Sequence, residues 1–226
     1  MKTVLRVAMV GGILLIGGLP GFAATQATGK PVGNPRITVR VYNYAEVPTA
    51  TLDKAKKDAG KTFRLLGVEI IWLNCSPGIL PQPESCNQPL SANEIGLRIL
   101  RRPKGVEVAF DPKTGGVAIR HGEDTGSGFI TLYYDRVEEL AERLMMSRGL
   151  VLGHAVAHEV GHLLLPPGSH SQHGIMRAKL SGEDWQRAAK GTLLFTPQQS
   201  ETILAGVLVR SSQQEAQQAA SRASER

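Results

Sequence analysis

Aromatic side chains are scarce in this chain: two Trp, four Tyr and five Phe among 226 residues. So few rings give little platform for stacking sugars, which argues against a carbohydrate-binding envelope module. Cysteine is scarcer still, with Cys75 and Cys86 alone. Two thiols do not by themselves make a metal site, so a cysteine-built zinc fold is excluded. Charge of one sign is in mild excess, at +6 overall. Setting aside Lys2 and Arg6, which belong to an N-terminal leader, the balance is about +4. That is too small and too scattered to call for nucleic acid. Lys54-Ala55-Lys56-Lys57 reads as a solvated helix face, and Arg101-Arg102-Pro103-Lys104 as a small basic loop. The longest apolar stretch, from Val7 to Leu19, carries four glycines and ends at Pro20, which weakens it as a permanent membrane span. There are no internal repeats.

The same stretch fits a secretory signal. Lys2 and Arg6 precede it, and small residues follow at Ala23, Ala24 and Ala27. Residues 1–24 are therefore expected to be a signal peptide cleaved near Ala23–Ala24, with Ala27 as the other site, leaving a secreted or periplasmic protein. No cysteine stands at a lipoprotein-type cleavage position. In an exported protein, Cys75 and Cys86, in a loop rich in proline and asparagine, are expected to pair as a disulfide. Closing so short a loop is worth roughly 2–3 kcal/mol on the chain-entropy account.

The chemistry concentrates at His158-Glu159-Val160-Gly161-His162. On a helix, positions i and i+4 lie one above the other, so His158 and His162 can reach one ion. Glu159 projects near the same place as a general base. The flank Arg148 to Ala157 is apolar and small and reads as buried helix. Pro166-Pro167 cannot continue a helix, which should stop near Leu164 or Leu165. Gly168 then permits a sharp turn that can bring His170 back toward the other two histidines. Three histidines and a water make an open tetrahedral zinc site.

The stretch His158 to Met176 resembles the active-site signature of the metzincin metallopeptidases. The matching pieces are His158, Glu159, His162, Gly168, His170-Ser171 and a turn at Gly174-Ile175-Met176. The spacing departs from that pattern. Seven residues separate His162 from His170, Gly168 stands two before His170, and Met176 follows early. The resemblance implies a Zn2+ held by His158, His162 and His170, with Met176 as an apolar floor beneath them rather than a ligand. It implies an exported peptidase in which zinc activates a water and Glu159 takes that water's proton and delivers it to the leaving amine. The substrate would be a polypeptide bound in extended form along a sheet edge. The alternative is a non-catalytic zinc-binding envelope protein that keeps the zincin fold. His173 is a rival third ligand, and so is Glu183, twenty-one residues past His162. Ser181 otherwise reads as an N-cap, with Glu183 and Asp184 favouring the helix dipole. His154, four residues before His158, reads as a packed or supporting histidine, because Ala155 stands where its glutamate would be. Tyr133 and Tyr134 read as packing residues.

Periodicity supplies the frame. Ile37 to Tyr44 alternates as a strand, Thr51 to Leu66 reads as an amphipathic helix stopped at Gly67, and Val68 to Leu73 is a buried strand. Ile95 to Arg101, Val106 to Phe110, Val117 to His121 and Phe129 to Tyr134 are further strands, with Val117 to His121 as the edge. Arg136 to Leu165 is helical, with a break expected around Ser147 to Gly149. Two helices follow near Gly182 to Lys190 and Pro197 to Val209. The expected class is α+β with an α/β-type N-terminal half. It comprises a metzincin-like domain over residues 36–210, a mixed twisted sheet, an active-site helix and a small helical C-terminal part. Residues 211–226 would form a flexible or frayed helical tail.

Overall fold

In the computed structural model, residues 35–102, 116–120 and 128–224 are described. The expected signal peptide, the Val106 to Phe110 strand and the turn after it lie outside them. Among the described residues five strands form one sheet: β1 (Arg36–Asn43), β2 (Glu69–Asn74), β3 (Glu94–Leu100), β4 (Gly116–Arg120) and β5 (Gly128–Tyr133). Their spatial order is β2-β1-β3-β5-β4. The first four in that order run parallel, and β4 is antiparallel to β5 at the edge. The described part of the expected Val117 to His121 strand, Val117 to Arg120, thus lies at an edge of the sheet, and His121 lies outside the described residues.

Alternation explains which face is covered. Ile37, Val39 and Val41 on β1, Ile95, Leu97 and Ile99 on β3, and Ile130 and Leu132 on β5 are all buried. Helix α1 (Thr49–Arg64) presents Leu52, Ala55, Ala59 and Phe63 to the same core, at helical spacing. It ends before Gly67, whose φ of 88° few other residues would accept. Helices α2 (Tyr134–Leu144) and α3 (Arg148–Leu164) follow β5. The break falls at Met145 to Ser147, slightly earlier than expected. Met145 takes a left-handed conformation, and the Ser147 hydroxyl caps α3 by accepting from Leu150 N at 3.2 Å. Gly149 is not part of the break but sits inside α3. A Cβ on Gly149 would meet Thr51 O at 3.0 Å, and one on Gly153 would meet Ala55 O at 2.8 Å. Bare backbone at these two positions, four apart on one face, lets α3 lie directly on α1.

The opposite face of β1 carries Arg40, which is 2 % exposed. It is covered by the loop between β2 and β3, which the Cys75–Cys86 disulfide closes. Arg40 Nε donates to Glu94 Oε1 at 3.0 Å and Nη1 donates to Gln88 O at 2.6 Å. Nη2 donates to Pro89 O and to the second Glu94 oxygen. Burial alone would raise the Glu94 pKa, but the Arg40 and Ser91 hydrogen bonds hold it below the usual range. On the surface, Arg101 and Arg102 of the basic loop are engaged by the α2 carboxylates of Glu138, Asp135 and Glu139.

The last helices are α4 (Gly182–Ala189) and α5 (Pro197–Ser224). Ser181 and Asp184 form a reciprocal capping box on α4. Helix α5 runs past Val209 without interruption to Ser224. No described helix is long and apolar enough to cross a membrane.

Candidate metal centre

The double proline stops α3 where the sequence suggested, with Leu165 extended at φ −106° and ψ 158°. Gly168 turns the chain at φ 74°. His170 is thereby carried back over the end of the helix. The Nε2 atoms of His158 and His162 stand 3.0 Å apart, and those of His162 and His170 stand 3.1 Å apart. One ligand atom from each of the three lies within 4.8 Å of every other. Zinc–nitrogen bonds of about 2.0–2.1 Å in a tetrahedron place ligand atoms about 3.3 Å apart, so shifts of a few tenths of an ångström would seat the ion. No other His, Cys, Asp or Glu among the described residues joins this group. His158 is buried, His162 half-buried and His170 exposed, so the outer side of the cluster faces solvent.

The rings are oriented from behind. His158 Nδ1 lies 2.7 Å from Ile175 O. A carbonyl can only accept, so Nδ1 carries the hydrogen and Nε2 presents a lone pair to the cluster. Ser169 Oγ is 3.4 Å from His162 Nδ1. Ile175 is itself fixed, because its N–H donates to Leu194 O at 2.9 Å. Gly174 takes φ 78° in this turn, and a Cβ there would meet Leu194 O at 2.5 Å. Ser171 N donates to Met176 O at 3.0 Å, joining the His170 segment to the turn. Met176 is fully buried beneath α3, with Sδ 2.6 Å from where a Gly161 Cβ would stand. Gln199 of α5 donates to Ser169 O at 3.1 Å and steadies the loop from the other side.

Glu159 is 2 % exposed. Among the described residues its carboxylate has no hydrogen-bond or ion-pair partner, and burial pushes its pKa up to about 7. Burial also lowers the His158 pKa, opposed by the Ile175 carbonyl and reinforced by His170. No protein-family profile and no curated protein matches this sequence. What can be read of the site therefore rests on its own geometry.

The remaining sequence-selected residues lie outside the triad. Glu183 is 84 % exposed, 3.8 Å from Arg187. His173 is exposed, and its carbonyl accepts from Ser171 Oγ. His154 is buried, with Nδ1 3.0 Å from Leu150 O and its ring edge-on to Trp185. Tyr134 is buried in the core, with the Arg101 guanidinium over its ring. Sequence reasoning placed Ile175 in the turn without its role toward His158, and did not find Leu194 or Gln199. Ile175 and Leu194 act through main-chain atoms, which no side-chain pattern reveals, and Gln199 lies thirty residues from the serine it holds.

Proposed function

We propose that this chain is an exported zinc-dependent peptidase with a metzincin-like domain over residues 36–210. The observation that supports this reading best is the convergence of three histidine rings, with the next residue after His158, Glu159, buried and without a partner among the described residues. A purely structural zinc needs no such base and is normally enclosed by four protein ligands. A bound zinc would supply Lewis acidity to a water and to the scissile carbonyl. His158, His162 and His170 would hold it, oriented by Ile175 O, Ser169 and the Met176 turn. Glu159 would take the proton of the attacking water and return it to the leaving amine. The exposed side of the triad leaves room for a polypeptide, and edge strand β4 offers main-chain groups for an extended segment.

The test is zinc content per chain on purified protein, for wild type and His170→Ala, followed by cleavage of a peptide library by wild type and Glu159→Gln. One zinc in wild type, much weaker binding in His170→Ala, and hydrolysis lost in Glu159→Gln with zinc retained are the expected results. Undiminished zinc in His170→Ala would reject the ligand set. Full activity in Glu159→Gln would reject the base. Zinc bound with no hydrolysis of any peptide would leave a metal-binding role alone.

A further inference from the structure

A cavity of about 470 Å3 opens beside the triad, and His158 itself forms part of its wall. The space is therefore shared with anything that reaches the metal centre. Its sides are apolar: Val137 and Leu140 from α2, Val151 and Ala155 from α3, and Leu180 and Trp185 from beyond the Met176 turn. Four cations also line it, Arg136, Arg143, Arg177 and Lys179, and no Asp or Glu is among the lining residues. Two of the four are committed elsewhere. Arg136 pairs with Glu139 at 3.2 Å, and Arg177 donates to Asp184 at 2.7 Å. Arg143 and Lys179 are exposed and have no carboxylate partner among the described residues.

We propose that this cavity selects an acidic residue, glutamate above others, in the polypeptide substrate, with Arg143 and Lys179 receiving its carboxylate. This rests on the peptidase reading of the triad. A glutamate has methylenes for the apolar walls and an anionic end for the cationic mouth. A lysine would meet the two uncommitted charges of Arg143 and Lys179, and a leucine would gain nothing from them. The cavity is several times the size of one side chain, so it takes the acidic residue together with neighbouring backbone. Each exposed ion pair contributes up to about fivefold in affinity.

The experiment uses the zinc-loaded full chain carrying Glu159→Gln, which binds without turning over. It is titrated calorimetrically with hexapeptide pools holding Glu, Gln, Leu or Lys at one position in turn. At one position Glu is expected to bind about tenfold tighter than Gln, from two such pairs. Adding Arg143→Gln and Lys179→Gln should erase that difference while leaving the Leu pools and the zinc content unchanged. Equal binding of Glu and Gln at every position, a preference that survives the double substitution, or no binding by any pool would each overturn the proposal. Wild-type hydrolysis of the pools separates the two ideas. A glutamate preference in binding without cleavage supports the cavity assignment and sinks the peptidase reading. Cleavage indifferent to the acidic residue sinks the cavity assignment alone.

Discussion

Replacing Gly161 by alanine would show whether α3 requires bare backbone where it crosses the Met176 turn. The added Cβ would lie 2.6 Å from Met176 Sδ and 2.8 Å from Phe195 Cε1. Ordinary contact stands at about 3.5–4.0 Å, so both approaches are short by about 1 Å. Neither neighbour has free space, since Met176 is 0 % and Phe195 7 % exposed. The thioether can bend away at little energy. The ring is less free, because it packs on Phe63 with centroids 5.2 Å apart. Overpacking of this kind costs about 1–3 kcal/mol. Alanine recovers up to about 1 kcal/mol by its better helix propensity. A net loss of about 1–2 kcal/mol is therefore expected in urea unfolding of the metal-free protein. Met176→Ala alone should cost about 2–5 kcal/mol by opening a cavity. In the double variant the new methyl occupies space the sulfur has left, so the two losses should fall short of additivity by about 1 kcal/mol. A Gly161→Ala protein as stable as wild type, or strictly additive losses, would refute the reasoning.

Three further outcomes follow from other parts of the molecule. Cys75→Ser with Cys86→Ser should lower stability by roughly 2–3 kcal/mol, and reductant should lower wild type by the same amount. Glu94 has a folded pKa held below its unfolded value, so its contribution is complete above about pH 4.3 and is lost as pH falls through the folded value. Glu94→Gln should remove about 3 kcal/mol at pH 7 and flatten the acid slope of denaturant midpoints below pH 4.3; parallel slopes for the two proteins would contradict the assignment. Gly174→Ala must accept φ 78° and displace Leu194 O, so it should cost more than about 1 kcal/mol. Because Ile175 O orients His158, a zinc titration of the same variant should show weaker binding.

The local elements were largely legible in the sequence, because each carries its own period and stop. Val39 and Val41 alternate on β1, Phe63 closes the apolar stripe of α1, and Pro166-Pro167 ends α3. The triad was legible for the same reason: its members sit within thirteen consecutive residues, and their meeting needs one helical turn and one loop. Long-range packing was not legible. Gly149 read as a point of weakness, whereas its lack of a side chain admits Thr51 O from a helix a hundred residues earlier. The burial of Arg40 was not legible either, because nothing near it in sequence announces the loop that covers it. The cavity beside His158 draws walls from α2, α3 and the segment after Met176, so no single stretch describes it. Helix α5 read as ending near Val209, because the run that follows has no apolar period to extend it.

Helix α3 depends on its neighbours for its own integrity. It carries Gly149, Gly153 and Gly161 within seventeen residues, which together cost it about 3 kcal/mol of intrinsic helicity relative to alanine. Such a segment does not hold a helix in isolation. The alignment of His158 and His162 thus leans on α1 packed against the first two glycines and on the Met176 turn against the third. Loosening either contact should therefore weaken metal binding at His158 and His162 without touching a ligand.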